Sequence, residues 1–209
     1  MNNVYSSFNF QNIAINQPIY NNANKCYRSQ LLTQDSSDII IKSSKFKLVN
    51  VKNDNLIVEF LPYDNFFYNF INNLDNFIIE SIVANGNMIF GTNAKLDTID
   101  ELYKKSINLP KSLNCCPTMI FKITNETIIC DKYNNPITND EMSINNEIEL
   151  CFQLKHIDFK RNNCSTEFIA KKIKITSMMC QNNDIMFDNS DSDPDEITEA
   201  DIANTVDYN

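Results

Sequence analysis

The stretch EIELCFQLKHIDF, residues 147–159, changes its hydrophobic phase partway along. Its first half places apolar side chains at even positions, and after Lys155–His156 they fall at odd positions. Because side chains alternate between the two faces of a strand, keeping one apolar face across this change requires a bulge or strong bend at Lys155–His156. Long bent strands are what a small closed barrel requires, so this stretch predicts a barrel.

Strands of similar character are predicted elsewhere in the chain. Each is rich in apolar and β-branched residues and is bounded by turn residues. They are Ile39–Val51, Leu56–Leu61, Thr118–Thr124, Thr127–Asp131 and Phe168–Ser177. With residues 147–159 they make about six strands, mostly antiparallel.

A helical period begins after Pro62. Apolar residues from Phe66 to Ile82 recur at three- and four-residue spacings, which predicts an amphipathic helix over Asn65–Ser81. Asn85-Gly86 then ends the helix or turns the chain into a short strand at Met88–Phe90.

A second, shorter helix is expected at Thr98–Lys105. Asp97 precedes it as the expected N-cap, and Pro110 lies beyond its end. Leu109–Pro117 is expected to be a loop.

The fold predicted from these elements is mainly β with inserted helices, an α+β fold. We expect a five- to six-stranded antiparallel Greek-key barrel over residues 35–183, with a helical insertion at about residues 63–108. Residues 1–34 are rich in Asn and Gln without a clean period, and predict an irregular N-terminal arm. Residues 184–209 are too polar to form a core, and predict a disordered acidic tail.

The net charge of −9 is confined to the last 26 residues. Residues 184–209 hold nine Asp and Glu and no Lys or Arg, out of 27 acidic and 18 basic residues in the chain. Residues 1–183 therefore carry 18 charges of each sign and have no net charge. The acidity of the whole chain is thus no argument against nucleic-acid binding by its folded part.

Residue types that catalytic and metal sites need are scarce. There is one histidine, His156, and no Gly-rich phosphate loop, nucleophile elbow or His-Glu-x-x-His motif. The seven cysteines are odd in number and form no Cys-x-x-Cys pair, which predicts reduced thiols and no structural metal. We expect a non-enzymatic protein without a cofactor.

The chain also lacks the marks of export. Its first 25 residues contain no apolar core behind a basic start, and no apolar run approaches the roughly 18 residues of a membrane span. An intracellular protein that is neither secreted nor bound to a membrane is therefore expected.

Lysines alternate with apolar residues on the predicted strands. In Phe168–Thr176 one face holds Phe168, Ala170, Lys172 and Lys174, and the other holds three isoleucines. With the isoleucines inward, Phe168 and the two lysines face outward. Further cations occur on the first strand, at the expected bulge and in the loop between the last two strands: Lys45, Lys47, Lys155, Lys160 and Arg161. Aromatic rings interleaved with cations on a sheet favour binding of single-stranded nucleic acid.

The acidic tail fits the same hypothesis. A polyanionic segment can occupy a cationic groove when DNA is absent and be displaced when DNA binds, which frees it for partner proteins.

The layout resembles the single-stranded DNA-binding proteins of large double-stranded DNA viruses and some bacteriophages. The matching stretches are NFFYNFINNLDNFIIES (65–81), residues 88–91, the helix containing Tyr103, TMIFK (118–122), ELCFQLKHIDF (149–159) and FIAKKIKI (168–175). The resemblance covers roughly residues 40–209. It implies an OB-like barrel with an acidic, often aromatic-ended tail.

The resemblance also implies a function and a set of contacts. It implies sequence-independent binding of single-stranded DNA in viral DNA replication, recombination or repair, within a viral replication compartment in the host nucleus or cytoplasm. Phosphate contacts are expected from Lys45, Lys47, Lys155, Lys160, Arg161, Lys172 and Lys174, and base stacking from Phe168 and Tyr133. The tail is expected to recruit polymerase or helicase components and to govern self-association, through Asp191, Asp193, Asp195, Glu196, Glu199, Asp201, Asp207 and Tyr208.

Two other classes of function stay open at this point. One is a non-enzymatic viral structural or protein-interaction module whose acidic tail binds a basic partner. The other is an enzyme of unrecognised type. The first predicts no DNA affinity in the folded part, and the second has His156 as its one candidate for histidine-based acid–base chemistry.

Overall fold

The computed structural model describes residues 8–62, 64–112 and 115–177. They belong to the first of two units into which the chain divides, Met1–Met179. The second unit, Cys180–Asn209, contains the acidic tail and lies outside the described residues. The described residues are mainly β, with eleven strands in one sheet and three α-helices.

The strands are β1 (Ile13–Ile15), β2 (Ile19–Asn21), β3 (Cys26–Thr33), β4 (Ile39–Lys52), β5 (Asn55–Phe60), β6 (Tyr103–Lys104), β7 (Ile107–Asn108), β8 (Thr118–Lys122), β9 (Ile128–Cys130), β10 (Glu147–Phe159) and β11 (Cys164–Ser177). The helices are α1 (Asn65–Ala84), α2 (Gly86–Phe90) and α3 (Leu96–Leu102). Among the described residues, no helix is both long and apolar enough to cross a membrane.

Five of the strands close on themselves. β4 pairs with β5, β5 with β8, β8 with β11, β11 with β10, and β10 again with β4. The β8–β11 contact, where Ile169 lies opposite Lys122, is parallel, and the other four are antiparallel. We call these strands the five-stranded ring.

The remaining strands enlarge the sheet beyond this ring. β3 pairs with the C-terminal part of β10 and carries β1 and β2, whereas the short strands β6, β7 and β9 lie beside β11 or β8. The prediction of five to six strands was therefore too low, because the sequence pattern did not reveal β3 or the short strands β1, β2, β6 and β7.

Within the predicted irregular arm, the described residues 8–34 are largely regular. They form β1, β2 and β3. In β3 the burial does not alternate cleanly, since Ser29 and Leu31 are buried but Tyr27 on the same face is exposed. The partner of β3 is the end of β10, where Asp158 lies opposite Arg28. Because the conformation of β3 depends on a strand so distant in sequence, its own residues show no regular apolar alternation.

The bulge predicted in β10 is confirmed. Leu154 lies opposite Phe168 and His156 opposite Glu167, so Lys155 is an extra residue between two consecutive positions of β11. The strand bounds Glu147–Phe159 agree with the prediction.

A second bulge lies in β11. Cys151 pairs with Lys172 and Phe152 with Ala170, so Lys171 is the extra residue there. A bulge shifts the side chains that follow it to the opposite face, which keeps Phe168, Ala170 and Ile173 all buried.

Phenylalanine rings fill the five-stranded ring. Phe46, Phe121 and Phe152 are fully buried, and the ring centroids of Phe121 and Phe152 are 4.9 Å apart. α1 packs onto this core through Phe67, whose ring centroid is 5.5 Å from that of Phe46. Burying one such side chain contributes about 1.5–3 kcal/mol, and edge-to-face contacts add to it.

The first helix agrees with its prediction and the second is displaced. α1 begins at Asn65, where the Asp64 side chain accepts a hydrogen bond from the Phe67 amide, and ends three residues beyond Ser81. α3 covers Leu96–Leu102, so Asp97 lies in its first turn and is not its cap. β6 begins directly at Tyr103.

The predicted strand at Met88–Phe90 is wrong, because these residues form α2. Gly86 permits a close approach here: a Cβ at this position would come within 2.7 Å of the Ala94 backbone nitrogen. Gly91 ends the helix in the left-handed region, at φ +71°. The chain thus makes a compact helical turn that the short apolar run did not reveal.

Candidate nucleic-acid interface

Three lysines of β4, Lys42, Lys45 and Lys47, alternate with buried residues, but each of the three lies beside a glutamate. Nζ of Lys45 is 3.3 Å from Glu147, and Nζ of Lys47 is 3.7 Å from Glu59. Lys42 makes a similar pair with Glu149, at 3.5 Å. Exposed pairs of this kind contribute at most about 1 kcal/mol, yet they balance the charge of this face.

The other predicted cations form no ion pair within the described residues. Lys172 and Lys174 project outward from β11, opposite Cys151 and Glu149. Lys155 is half-buried at its bulge, and the loop residues Lys160 and Arg161 are exposed.

The outward position predicted for Phe168 is wrong. Phe168 is buried, with ring centroids 5.8 Å from Phe152 and 6.1 Å from Phe121. The prediction assumed unbroken alternation from Phe168 to Lys174, whereas the bulge at Lys171 moves Phe168 onto the inner face. A stacking role for Phe168 is therefore excluded by its place in the core.

Tyr133 is exposed, as a stacking residue must be. Its side chain is 72% exposed, and the Lys132 ammonium lies 4.9 Å from its ring centroid. Asp131 fixes this turn by accepting hydrogen bonds from the amides of Tyr133 and Asn135.

A cavity of about 240 Å³ lies on the outer surface of the five-stranded ring. It is bordered by four lysines, Lys104, Lys105, Lys122 and Lys160, and by two acidic residues, Asp158 and Glu167. Ile120, 41% exposed, adds an apolar wall. We call this the basic cavity.

Two of its lysines are free of ion pairs within the described part of the chain. Lys122 lies 3.3 Å from Glu167, and Lys105 lies 3.2 Å from Asp100. Lys104 and Lys160 have no acidic partner among the described residues. The cavity therefore presents uncompensated positive charge.

Buried Asp75 of α1 holds one border of the basic cavity in place. Its carboxylate accepts hydrogen bonds from the Ser106 amide at 2.8 Å, the Ser106 hydroxyl at 2.6 Å and the Tyr103 hydroxyl at 2.9 Å. The Tyr103 hydroxyl also lies 2.7 Å from the Thr166 hydroxyl on β11. Lys104 and Lys105 lie between the two anchored residues.

This network perturbs two titratable groups. Burial raises the pKa of Asp75, although the hydrogen bonds from Ser106 and Tyr103 oppose the rise. Burial and the neighbouring Asp75 raise the pKa of Tyr103 well above its ordinary value. Tyr103 therefore remains a neutral donor throughout the physiological range.

A second group of charges surrounds His156. Its Nε2 atom lies 3.3 Å from Asp158 Oδ1 and 3.4 Å from Glu167 Oε1. Arg28 donates to both oxygens of Asp158, from Nε at 2.8 Å and from Nη2 at 3.2 Å. Burial opposes ionisation of Asp158, but His156 and Arg28 outweigh it and hold the pKa of that carboxyl well below its usual range.

Among the described residues, His156, Asp158 and Glu167 form a group whose donor atoms lie close enough together to hold a metal ion, all within 4.8 Å. However, Arg28 already occupies Asp158 Oδ1, and Lys122 lies beside Glu167. Two cations thus neutralise the two carboxylates. The charge balance favours a network of ion pairs over a cation site.

A larger cavity, of about 630 Å³, lies on the other side of this cluster. Arg28, Gln30, Lys155 and His156 border it together with residues 16, 17 and 19–23. Because Asp158 and Glu167 border the basic cavity, the two cavities meet at the His156 cluster.

Sequence reasoning missed Lys104, Lys105, Lys122 and Asp75. Two of these left a signal. In TMIFK, Met119 and Phe121 are buried, so the same alternation directs Ile120 and Lys122 outward. Asp75 falls on the apolar stripe of α1, between Ile71 and Ile78, where an acidic residue indicates a buried partner.

Comparisons with known proteins yield structural similarities alone. No protein-family model matches the chain, and no curated protein matches it. Among solved structures, the single-stranded DNA-binding protein of bacteriophage Enc34 is similar at 10% identity and a TM-score of 0.46, over 85% of this chain and 98% of the phage chain. Its C-terminally truncated form gives 7% and 0.46, over 81% and 97%. Its complex with single-stranded DNA gives 7% and 0.43, over 72% and 91%.

Proposed function

We propose that this chain binds single-stranded DNA without sequence preference and without catalysis, and that it acts in viral DNA replication, recombination or repair. The observation that carries the proposal is the basic cavity on the outer surface of the five-stranded ring. Lys104 and Lys160 there lack acidic partners among the described residues, and Ile120 offers apolar surface beside them.

The order of the ring supports this choice of ligand. Numbered along the chain, its strands are neighbours in the order one, two, three, five, four and back to one, with strands three and five parallel. We propose that the ring is an oligonucleotide-binding barrel, in which ligands bind at strands two and three and at the loop between strands four and five. Asn55, Ile120 and Lys160, which border the basic cavity, come from these three places.

The remaining cations fit the same ligand. Lys155, Arg161, Lys172 and Lys174 are proposed phosphate contacts that need not first leave an acidic partner in the described part of the chain. Lys45 and Lys47 are proposed contacts that exchange a glutamate for a phosphate. Tyr133 is proposed as an exposed stacking residue. Electrostatic contacts to phosphates give affinity that does not depend on sequence.

We propose a separate role for the acidic residues 184–209, which lie outside the described residues. Their nine carboxylates compete with DNA for the cationic surface. When DNA displaces them, they bind replication proteins such as a polymerase or helicase and govern self-association. We further propose that the protein acts in a viral replication compartment in the host nucleus or cytoplasm.

The test is a titration of the full-length protein with oligo-dT and with duplex DNA at several salt concentrations. We expect tighter binding to the single strand, weakened by salt. Lys104→Ala with Lys160→Ala should weaken oligo-dT binding and reduce the slope of log K against log salt concentration by about 0.7 for each lysine removed.

The matched control is Lys95→Ala with Lys111→Ala. Both lysines are exposed, border neither cavity and form no ion pair in the described part of the chain. This pair should leave the slope unchanged. Equal affinity for duplex and single strand, or equal slopes for the two double variants, contradicts the proposal.

A further inference from the structure

We infer that four aromatic side chains, Tyr20, Tyr27, Phe159 and Phe90, form a stacking surface for the bases of single-stranded DNA. We call them the aromatic row. The inference rests on the proposed function, and assigns the base contacts that the basic cavity does not provide.

Strand pairing places these rings side by side. Tyr27 of β3 lies directly opposite Tyr20 of β2 and, on its other side, directly opposite Phe159 of β10. Directly opposite residues project from the same face of a sheet. Phe90 of α2 continues the row, since its ring centroid is 5.7 Å from that of Phe159.

Three of the four rings remain accessible although they touch a neighbour, whereas Phe159 is half-buried against the hydrophobic core. Tyr20, Tyr27 and Phe90 are 49%, 55% and 43% exposed. The rings of Tyr20 and Tyr27 meet edge to face with centroids 5.2 Å apart, and those of Phe90 and Phe159 do so at 5.7 Å. An edge-to-face contact covers at most one ring face of each pair, so ring faces stay free for a base.

The row ends where cations begin. Lys160 follows Phe159 directly and borders the basic cavity, and Arg161 comes next. Lys25 lies in the turn between β2 and β3, one residue before β3 begins. Phe159 and the cavity residue Asp158 project from opposite faces of β10, so a single strand stacked on the row would reach Lys160 at the end of β10, where the loop to β11 begins. This continuity favours nucleic acid over a protein partner, because stacked rings beside cations are the usual surface for single strands.

The row differs from the stacking residues that sequence reasoning selected. Tyr20 and Tyr27 lie in the stretch predicted to be irregular, and Phe90 in a predicted strand. Their alignment depends on β2, β3 and α2, which the local pattern did not reveal.

The test uses the full-length protein and an oligo-dT in which 5-iododeoxyuridine replaces thymidine. After irradiation, we expect adducts on peptides that contain the aromatic row. Tyr20→Leu with Tyr27→Leu keeps the apolar area but removes two rings, and should weaken oligo-dT binding roughly tenfold or more. The salt slope should not change, because no phosphate contact is lost.

The matched control is Phe66→Leu, an aromatic residue 69% exposed and outside the row, which should bind like the wild type. Circular dichroism checks that each variant is folded. If the protein binds oligo-dT with a normal salt slope but the Tyr20/Tyr27 variant binds equally well, the stacking surface is refuted and the proposed function stands. A change in self-association alone would make the row a protein contact, and no oligo-dT binding by the wild type would refute both.

Discussion

Asp75 determines, as a single residue, where two cations of the proposed interface lie. It is fully buried in α1 and accepts three hydrogen bonds from Tyr103 and Ser106, the residues that flank Lys104 and Lys105. Buried acidic groups are tolerated when their oxygens are satisfied, as they are here. The helix α1 therefore fixes the position of the chain segment that carries Lys104 and Lys105.

Asp75→Asn and Asp75→Ala should separate the hydrogen bonds of this residue from its charge. Asn can keep all three contacts, because the Tyr103 and Ser106 hydroxyls can accept as well as donate. Ala leaves those partners unsatisfied and should lower the free energy of unfolding by roughly 2–4 kcal/mol. Urea unfolding at neutral pH measures both variants, and equal losses would contradict the network.

The pH dependence has a definite sign. Because the pKa of Asp75 is raised in the folded protein, its stabilising contribution is complete below the unfolded value of about 3.9 and is lost as pH rises through the folded value. Stability of the wild type relative to Asp75→Asn should therefore fall as pH rises above about 4. Parallel stability profiles for the two proteins would show that Asp75 titrates normally.

Single residues also show where sequence reasoning stops. Phe46 and Leu48 are buried and the alternating Lys45 and Lys47 are not, so the alternation of lysines with apolar residues expected for this strand holds over these four positions. Phe168 was placed outward wrongly, because one extra residue reverses the alternation. A bulge can be recognised from the apolar pattern only where the strand residues on both sides of it are strongly apolar, as they are around Lys155.

At the scale of elements, the bulges at Lys155 and Lys171 let β10 and β11 bend while keeping one apolar face. β10 pairs with β4 along its first half and with β3 along its second, and pairs with β11 throughout. Neither long strand could pair with all of its neighbours in the ring if it were flat and regular. β10 was predicted well from the sequence, because its apolar positions change from even to odd at the bend.

Deleting Lys171 should therefore be far more damaging than changing its side chain. The deletion removes the bulge and turns Phe168 and Ala170 away from the core while Ile173 stays inside, so we expect loss of cooperative folding. Lys171→Ala keeps the bulge and loses only an exposed ion pair with Glu126, so its Tm should change by about 2 °C or less. Thermal unfolding compares the two, and similar stabilities would show that the bulge is dispensable.

Elements that depend on distant partners escaped prediction. β1, β2, β6 and β7 are two or three residues long, and no local pattern marks them. Their conformation comes from β3, β8 and β11, which supply the backbone hydrogen bonds. Both the basic cavity and the aromatic row draw on such elements, and for this reason most of their residues were missed.

For the whole molecule, the net charge differs between two parts of the sequence. Residues 1–183 carry no net charge, and the excess of nine negative charges lies in residues 184–209. A protein that is acidic overall can thus present a locally positive surface, because its excess negative charge lies in a separate segment of the sequence.

Removing residues 184–209 should tighten oligo-dT binding, because the truncated chain no longer carries a competing anion. The effect should be largest at low salt, where screening is weakest. A matched variant keeps the segment but replaces its nine Asp and Glu by Asn and Gln, and should bind as tightly as the truncated chain. Unchanged or weaker binding in either protein, measured by fluorescence anisotropy, would refute competition.

The pairing of β3 with β10 has a consequence for synthesis of the chain. Arg28 and its partner Asp158 are separated by 130 residues, a distance that a ribosome translating about 5–20 residues per second covers in roughly 6–26 seconds. Throughout that interval β1 and β2 can pair with one edge of β3, but β10, the partner of its other edge, has not been synthesised. The nascent chain therefore exposes an unpaired edge of β3, the kind of surface that chaperones bind. Slower translation should lengthen this exposure and increase misassembly between nascent chains.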